Sequence, residues 1–432
     1  MKYSLCFLPL FLISVCNAQI DVLVDKNFSF HVNGNELTVP FESSHPIDLA
    51  DDEIKYGIIV VHGVNRNADE YYTNMLVAAN MAPQDSDSTI YLAPQFLTES
   101  DIDAFSLPTS YIYWTSGGWS AGSLSRNEAT NPRPVRISSY AVVDSLINRI
   151  LTNIPSLEEI VLVGHSAGGQ FVHRHALSSP IHDTMGSRFP VRYVVMNPSS
   201  FAYMDDTRRI SGTIDQFEVP NTSCSSYNEW KYGLEDLFSY PGLSTVEEIR
   251  NRYKKVNVAY VIGGADNDPN DAVMDMACEA QLQGSHRLER ASIYFNHLQN
   301  HYQEIIHTLD TVPGVAHSHS QMFVSPVGID HIFRKKGSYD TTTSINQSQK
   351  ITGQLILYPN PTGSILNIIN PISDKSIAVE VFDVLGRKML KIEHTIFSND
   401  IELDISRLRS GIYSIHLFST TERYINQFIV RQ

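Results

Sequence analysis

The sequence predicts an α/β fold, a mostly parallel sheet with helices on both faces, followed by a small C-terminal all-β sandwich. Two observations carry the first part. The runs "YGIIVVHG" (56–63), "EEIVLVG" (158–164), "VRYVVMNP" (191–198) and "VNVAYVIGG" (256–264) are continuously apolar, as strands buried on both faces must be. Between them lie stretches with helical spacing, and buried strands alternating with helices give a parallel sheet. The third observation concerns the end of the chain. From Leu355 onward short alternating runs, "LILYP", "SILNII", "AVEVFDVLG", "IYSIHLF" and "INQFIV", are separated by Asn-Pro, Gly and Asn-Asp turns, the pattern of a separate β-sandwich.

Taken in order, residues 1–18 come first. Lys2 precedes an apolar stretch from Leu5 to Val15, and "CNA" stands before Gln19. That is the layout of a signal peptide cleaved after Ala18, and the apolar run is too short to span a bilayer comfortably. Cys16 does not make a lipoprotein site, because bulky Val15 precedes it where a small residue is needed. "NFSFHVNGNELTVPFE" then reads as two strands joined at Asn33-Gly34. Helices are expected over Ala68–Met81 and Ser138–Ile150, with the strand "TIYLAP" (89–94) between them. Residues 199–250 hold many aromatics and no clear strand, so they read as a lid-like insertion over one end of the sheet. The domain carrying these elements spans 19–335, a polar linker 336–353, and the sandwich 354–432.

Composition narrows the partners. The chain has 432 residues, 42% of them hydrophobic, enough for at least one full core. Its formal net charge is −15, and the last domain carries eight acidic and eight basic side chains, so the acidic excess lies upstream. Nucleic acid and anionic membranes require a basic footprint that is missing here, and no stretch past the signal is long and apolar enough for a membrane span. The mature chain keeps Cys224 and Cys278. Two buried thiols or one disulfide would accommodate them; an oxidising compartment favours the bridge, which would stabilise by roughly 4 kcal/mol.

The chemistry centres on "EIVLVGHSAGGQF" (159–171). A strand that ends in Gly-x-Ser-x-Gly and turns at once into a helix is the context of a nucleophile elbow. It singles out Ser166 as the nucleophile. The small residues Gly164, Ala167 and Gly168 allow a tight turn, and the amide of Ala167 at the helix start can face a developing oxyanion. In this architecture the acid and then the histidine follow the serine along the chain. "VIGGADNDPNDA" offers Asp266, with Asp268 as runner-up, after a late strand. "HTLDTVPGVAHSHS" offers His317, with His319 as runner-up, in a loop after the last one. A histidine base must be neutral to accept a proton, so activity is expected to rise with pH through the ordinary histidine range.

The second oxyanion donor is expected from the loop after the early strand, where His62-Gly63 leads to the amide of Val64, with Asn65 behind it. His62 and His165 flank these positions and are candidates for substrate contact. So are Trp114 and Trp119 in the aromatic, glycine-rich run "YIYWTSGGWSAGSLS" (111–125), which either lines a cleft or plugs the core. The "DNDPND" run lacks the glycine and glutamate of a calcium loop, His297, His301 and His307 read as surface or core residues, and no zinc spacing occurs. No metal or cofactor is expected.

These residues carry two resemblances. Residues 20–335 resemble the α/β-hydrolase superfamily in "GIIVVHGVNRNADEYY", "GHSAGGQ", "VIGGAD" and "VPGVAHS". "CSSYNEWKYGL" and "ACEAQLQGSHRLERA" are similar to a branch of bacterial and fungal α/β hydrolases. That resemblance implies a triad of Ser166, Asp266 and His317, and places both cysteines where a bridge over the insertion would sit. Residues 354–432 resemble the C-terminal sorting domain of the type IX secretion system, in "LYPNPTGSILNI", "VEVFDVLGRKML", "LDISRLRSGIYSIHL" and "FIVRQ". This implies the type IX machinery as partner and a secreted or cell-surface location. Together they lead to the expectation of a secreted serine hydrolase acting on a small-molecule or polymer ester. A peptidase or amidase on the same triad, or a non-catalytic binding protein on this scaffold, are the rivals. A complete triad speaks against the last.

Overall fold

The computed structural model describes residues 19–333 except 83–85, 182, 184–190 and 303–304, and then 350–351, 356–359, 362–369, 376–383, 388–395, 400–418 and 422–431. The expected signal peptide, and all of the expected linker but Lys350 and Ile351, lie outside the described residues. The chain divides into two compact units. One comprises residues up to Ile262 together with Asp266–Asp310; the other comprises Gly263–Ala265 and Thr311–Gln432.

The main sheet is built from β1 (Lys26–Val32), β2 (Asn35–Ser43), β3 (Tyr56–Val61), β4 (Thr89–Pro94), β5 (Glu159–His165), β6 (Val191–Met196), β7 (Asn257–Gly263) and β8 (Thr308–Val312). Their order is β1-β2-β4-β3-β5-β6-β7-β8. The opening hairpin pairs Val32 with Asn35. Its turn residues Asn33 and Gly34 have φ of 51° and 79°, the left-handed pair that a two-residue hairpin needs and that Asn-Gly adopts most readily. β2 also runs antiparallel to β4, while β4, β3, β5, β6 and β7 are mutually parallel. All six residues of β4 and of β6, and all seven of β5, are buried, which is why those runs show no polar alternation.

The chain moves from β3 to β4 on one side, then returns to place β5 on the other side of β3. That reversal is the topological switch point, at the carboxyl ends of β3 and β5, where such sheets generally bind ligands. Helices cover the faces: α1 (Ala68–Met81), α2 (Ser139–Asn153) and α3 (Ala167–Ser178). In α2 the Ser138 hydroxyl accepts from the Tyr140 N–H at 3.1 Å, a side-chain N-cap. Val143, Leu146, Ile147 and Ile150 recur at helical spacing and are buried together.

Residues 199–250 contain a two-residue strand pair, Arg208–Arg209 with Phe217–Glu218, and end in the helix Val246–Tyr253. They form a packed layer, because Phe201, Tyr203, Met204, Trp230, Leu234 and Tyr240 join the main hydrophobic core. Arg208 sits fully buried with its guanidinium 4.2 Å from the Tyr203 ring centre. It donates to the carbonyls of Asp205 (2.9 Å), Tyr227 (2.9 Å) and Tyr232 (3.1 Å). The cation thus satisfies loop carbonyls that no regular element serves. Cys224 and Cys278 form a disulfide with Cα atoms 5.9 Å apart, tying this layer to the chain beyond β7.

In the second unit, Gly264 donates to the Val312 carbonyl (2.8 Å) and Ala265 to that of Val315 (2.9 Å). The C-terminal strands make two sheets: Lys350–Ile351, Glu422–Val430, Gly411–Phe418, Ser376–Asp383 and Lys388–Thr395 in one, and Ile356–Tyr358, Ile365–Ile369 and Asp400–Asp404 in the other. Leu366, Ile368, Val379, Val381, Leu403, Ile415, Leu417 and Phe428 form their shared core, the expected small sandwich.

Candidate active site

Ser166 lies between the last residue of β5 and the first of α3, with φ 61° and ψ −122°. For a residue bearing a Cβ this backbone is strained, by an amount of order 1–3 kcal/mol, and such strain persists only where the surroundings enforce it. They do so here. The Ser166 N–H donates to the Met196 carbonyl at the end of β6 (3.0 Å) and its carbonyl accepts from Gln170 (3.0 Å). A Cβ on Gly164 would lie 2.3 Å from the Gly168 carbonyl, and one on Gly168 would lie 2.2 Å from that of Val61. Both positions therefore exclude any side chain, and the helix starts hard against the ends of β3 and β5. The result holds Ser166 half-buried at the carboxyl end of β5.

The loop after β3 arrives beside it. A Cβ on Gly63 would stand 3.8 Å from that of Ser166 and would strike the Tyr71 hydroxyl at 2.6 Å. Val64, the next residue of this loop, is 40% exposed. Ala167 is the first residue of α3, so its amide has no acceptor within the helix. The loop is tightly held. Phe96 N–H donates to His62 Nε2 (3.0 Å), so the ring proton sits on Nδ1, which donates to the Gly63 carbonyl (2.9 Å).

Asp266 follows β7, is 4% exposed, and receives Asn197 Nδ2 (2.6 Å) and Arg287 Nη1 (3.1 Å) on its two oxygens. Asn197 directly follows Met196, the acceptor of the Ser166 amide, so the serine and aspartate ends share one anchor. Asp268 instead is exposed and caps the Asn270 N–H (2.9 Å). His317 belongs to the second unit, half-buried in the loop after β8; His319 opens the helix His319–Val324, its ring 5.9 Å from that of Phe323.

The four residues read as candidates for substrate contact are corrected. His62, His165, Trp114 and Trp119 are all 2% exposed or less. Trp119 stacks on Phe96 at 5.6 Å and lies 4.6 Å from His62, and Trp114 Nε1 donates to the Ser123 carbonyl (3.0 Å). The two tryptophans pack with Phe96 and His62 in the core, and His165 Nδ1 lies 3.3 Å from the Tyr71 hydroxyl. Burial pushes the His62 ring down to about 3, so it stays neutral across the physiological range and serves as a fixed donor.

Sequence reasoning missed the polar residues that hold these parts, chiefly Arg66, Asp101, Asn197 and Arg287. Thr98-x-x-Asp101 has the spacing of a helix-capping pattern, and in the structure the Asp101 carboxylate accepts from the Thr98 N–H (2.7 Å) and hydroxyl (2.8 Å). The others carry no local signal.

The strand order together with the strained serine turn defines an α/β-hydrolase fold. Residues 356–431 match the family of secretion system C-terminal sorting domains. Among curated proteins, none matches the chain by sequence. Among solved structures the chain is similar to poly(aspartic acid) hydrolase-1 from Sphingomonas sp. KT-1, at 24% identity and a TM-score of 0.46 over 69% of this chain and 96% of that one. It is also similar to LpqC, a poly(3-hydroxybutyrate) depolymerase from Bordetella parapertussis, at 20% and 0.45 over 69% and 86%. The siderophore hydrolase EstB from Aspergillus nidulans is more distant, at 13% and 0.35 over 72% and 96%. The assignment of the fold rests on the sheet's own order and not on these likenesses.

Proposed function

We propose that this protein is an exported serine hydrolase that cleaves carboxylic esters. The observation that carries the reading is the left-handed backbone of Ser166 at the β5–α3 elbow, strain that is maintained beside a clamped loop and a helix start. Ser166 Oγ attacks the ester carbonyl while His317 takes its proton, and Asp266 orients the ring and balances its charge. The Ala167 and Val64 amides receive the oxyanion, each donor contributing roughly 3–4 kcal/mol to the transition state. Collapse expels the alcohol, which takes the proton from His317. Water, deprotonated by the same ring, then frees the acid from Ser166. The sorting domain fits export through the type IX machinery to the surface or the medium, with the signal peptide as the first address.

Hydrolysis of p-nitrophenyl esters of increasing acyl length, beside matching p-nitroanilides, tests this with the wild-type chain and Ser166→Ala. Ester turnover that falls by at least about 10⁴-fold in the variant is expected. Retention of more than a tenth of wild-type turnover rules out Ser166 as nucleophile. Anilide turnover exceeding ester turnover would replace the ester reading with an amidase on the same site.

A further inference from the structure

The loop that follows β3 is fixed by a buried ion pair outside the proposed triad. Arg66 has φ 59° and is 5% exposed; Asp101, in the helix Glu99–Ala104, is fully buried. Arg66 Nε and Nη2 reach the two oxygens of Asp101 at 3.1 Å each, a forked pair. The same carboxylate accepts the N–H groups of Ile20 (2.8 Å) and Thr98 (2.7 Å) and the Thr98 hydroxyl (2.8 Å). Gln95, also fully buried, donates to the Arg66 carbonyl (2.9 Å) and to that of Val22 (2.8 Å) and accepts from the Val24 N–H (3.1 Å). Arg66 is thus held at both its side chain and its backbone, and the same two anchors carry the chain's first described residues.

What this anchoring aims is one peptide plane. The Arg66 N–H donates to the Gly63 carbonyl at 3.1 Å, where the His62 ring also donates. A trans peptide is planar, with its N–H directed opposite to its carbonyl. Two donors on the Gly63 oxygen therefore set the direction of the Val64 N–H. The Arg66 guanidinium also leans toward the Val64 carbonyl at 3.4 Å.

We infer that Arg66 and Asp101 are positioning residues for the reaction, an ion pair that aims the Val64 amide at the oxyanion. The inference rests on the proposed hydrolase reading. Its reach is through the backbone; neither side chain touches substrate. Loosening the pair leaves Ser166 and its base in place but lets the donor swing, and a misplacement of about 1 Å far from the chemistry can cost on the order of a hundredfold. A donor realised mainly in the transition state affects kcat and not substrate binding.

The test uses the full chain, with Asp101→Asn, Arg66→Lys and Ser166→Ala side by side. For each, kcat and KM on one p-nitrophenyl ester are measured with the inhibition constant of phenylboronic acid, whose tetrahedral serine adduct mimics the oxyanion. Asp101→Asn is expected to lower kcat by roughly ten- to a hundredfold with KM within about twofold, and to weaken the boronate by the same factor. Arg66→Lys, which keeps the charge but loses the fork, should show the same coupling at smaller amplitude. It carries the test alone if Asp101→Asn fails to fold by circular dichroism and melting. Folded variants with wild-type kcat, or with lower kcat but unchanged boronate affinity, overturn the inference. Persistent turnover by Ser166→Ala instead condemns the nucleophile assignment, so the two failures are distinguishable.

Discussion

Two stretches of this chain share the tripeptide Ser-Ala-Gly and use it in opposite ways. In "GHSAGG" Ser166 is held half-buried in a left-handed backbone, at the point where β5 becomes α3. In "GGWSAG" Ser120 is 6% exposed in a short 3₁₀ turn, its hydroxyl donating to the Gly117 carbonyl (3.2 Å). Its own carbonyl accepts from Tyr140 Oη (3.1 Å) and Arg174 Nη1 (3.2 Å). The residues beside each serine account for the contrast. An apolar strand before and a helix after force Ser166 outward, whereas Trp119, seated among His62, Phe96 and Phe171, pulls Ser120 inward. A short motif takes its conformation from the elements that flank it.

The contrast can be broken most severely at the serines themselves. Ser120→Ala should leave kcat within about threefold, because it removes one weak internal hydrogen bond worth about 1 kcal/mol of stability, while Ser166→Ala stops turnover. Comparable losses from both would erase the distinction. Next in size is Trp119→Ala, expected to destabilise the fold by about 3–5 kcal/mol in urea unfolding with KM little changed. A stable variant with a sharply raised KM would restore Trp119 as a cleft wall.

The most gradual effect comes from pH. Burial lowers His62 from 6.5 to about 3 and His307 from 6.5 to about 4. Between those values and 6.5 the unfolded chain binds more protons than the folded one, so stability is complete above 6.5 and is lost as pH falls toward 4 and below. Each ring should remove about 1.4 kcal/mol per pH unit in that window. Replacing His307 by Gln should flatten its share of the slope in melts taken from pH 7 to 4; an unchanged slope would contradict the buried neutral ring.

Much of the fold could be read because it is written in local patterns. Apolar runs marked β3, β5, β6 and β7, Asn33-Gly34 marked the hairpin, and the Gly-x-Ser-x-Gly turn marked Ser166. What escaped depends on contacts far apart in sequence. Arg66 and Asp101 look like surface charges until folding buries them together, and Asn197 is an ordinary residue after a strand until Asp266 reaches it. Asp266 and Asp268 cannot be ranked from composition, since two carboxylates two residues apart differ only in which one the fold turns inward. The tryptophans were ambiguous for the same reason: an aromatic suits a cleft and a core equally well, and only burial separates the two.

The central claim is that Ser166 becomes acylated. It is tested most directly by rapid acid quench of the enzyme during turnover of p-nitrophenyl acetate, followed by intact-mass and peptide mass spectrometry. The account predicts a mass increase of one acetyl group confined to the peptide containing Ser166, and absent from Ser166→Ala. Acetylation at another residue, or rapid turnover with no covalent adduct at any quench time, would contradict it.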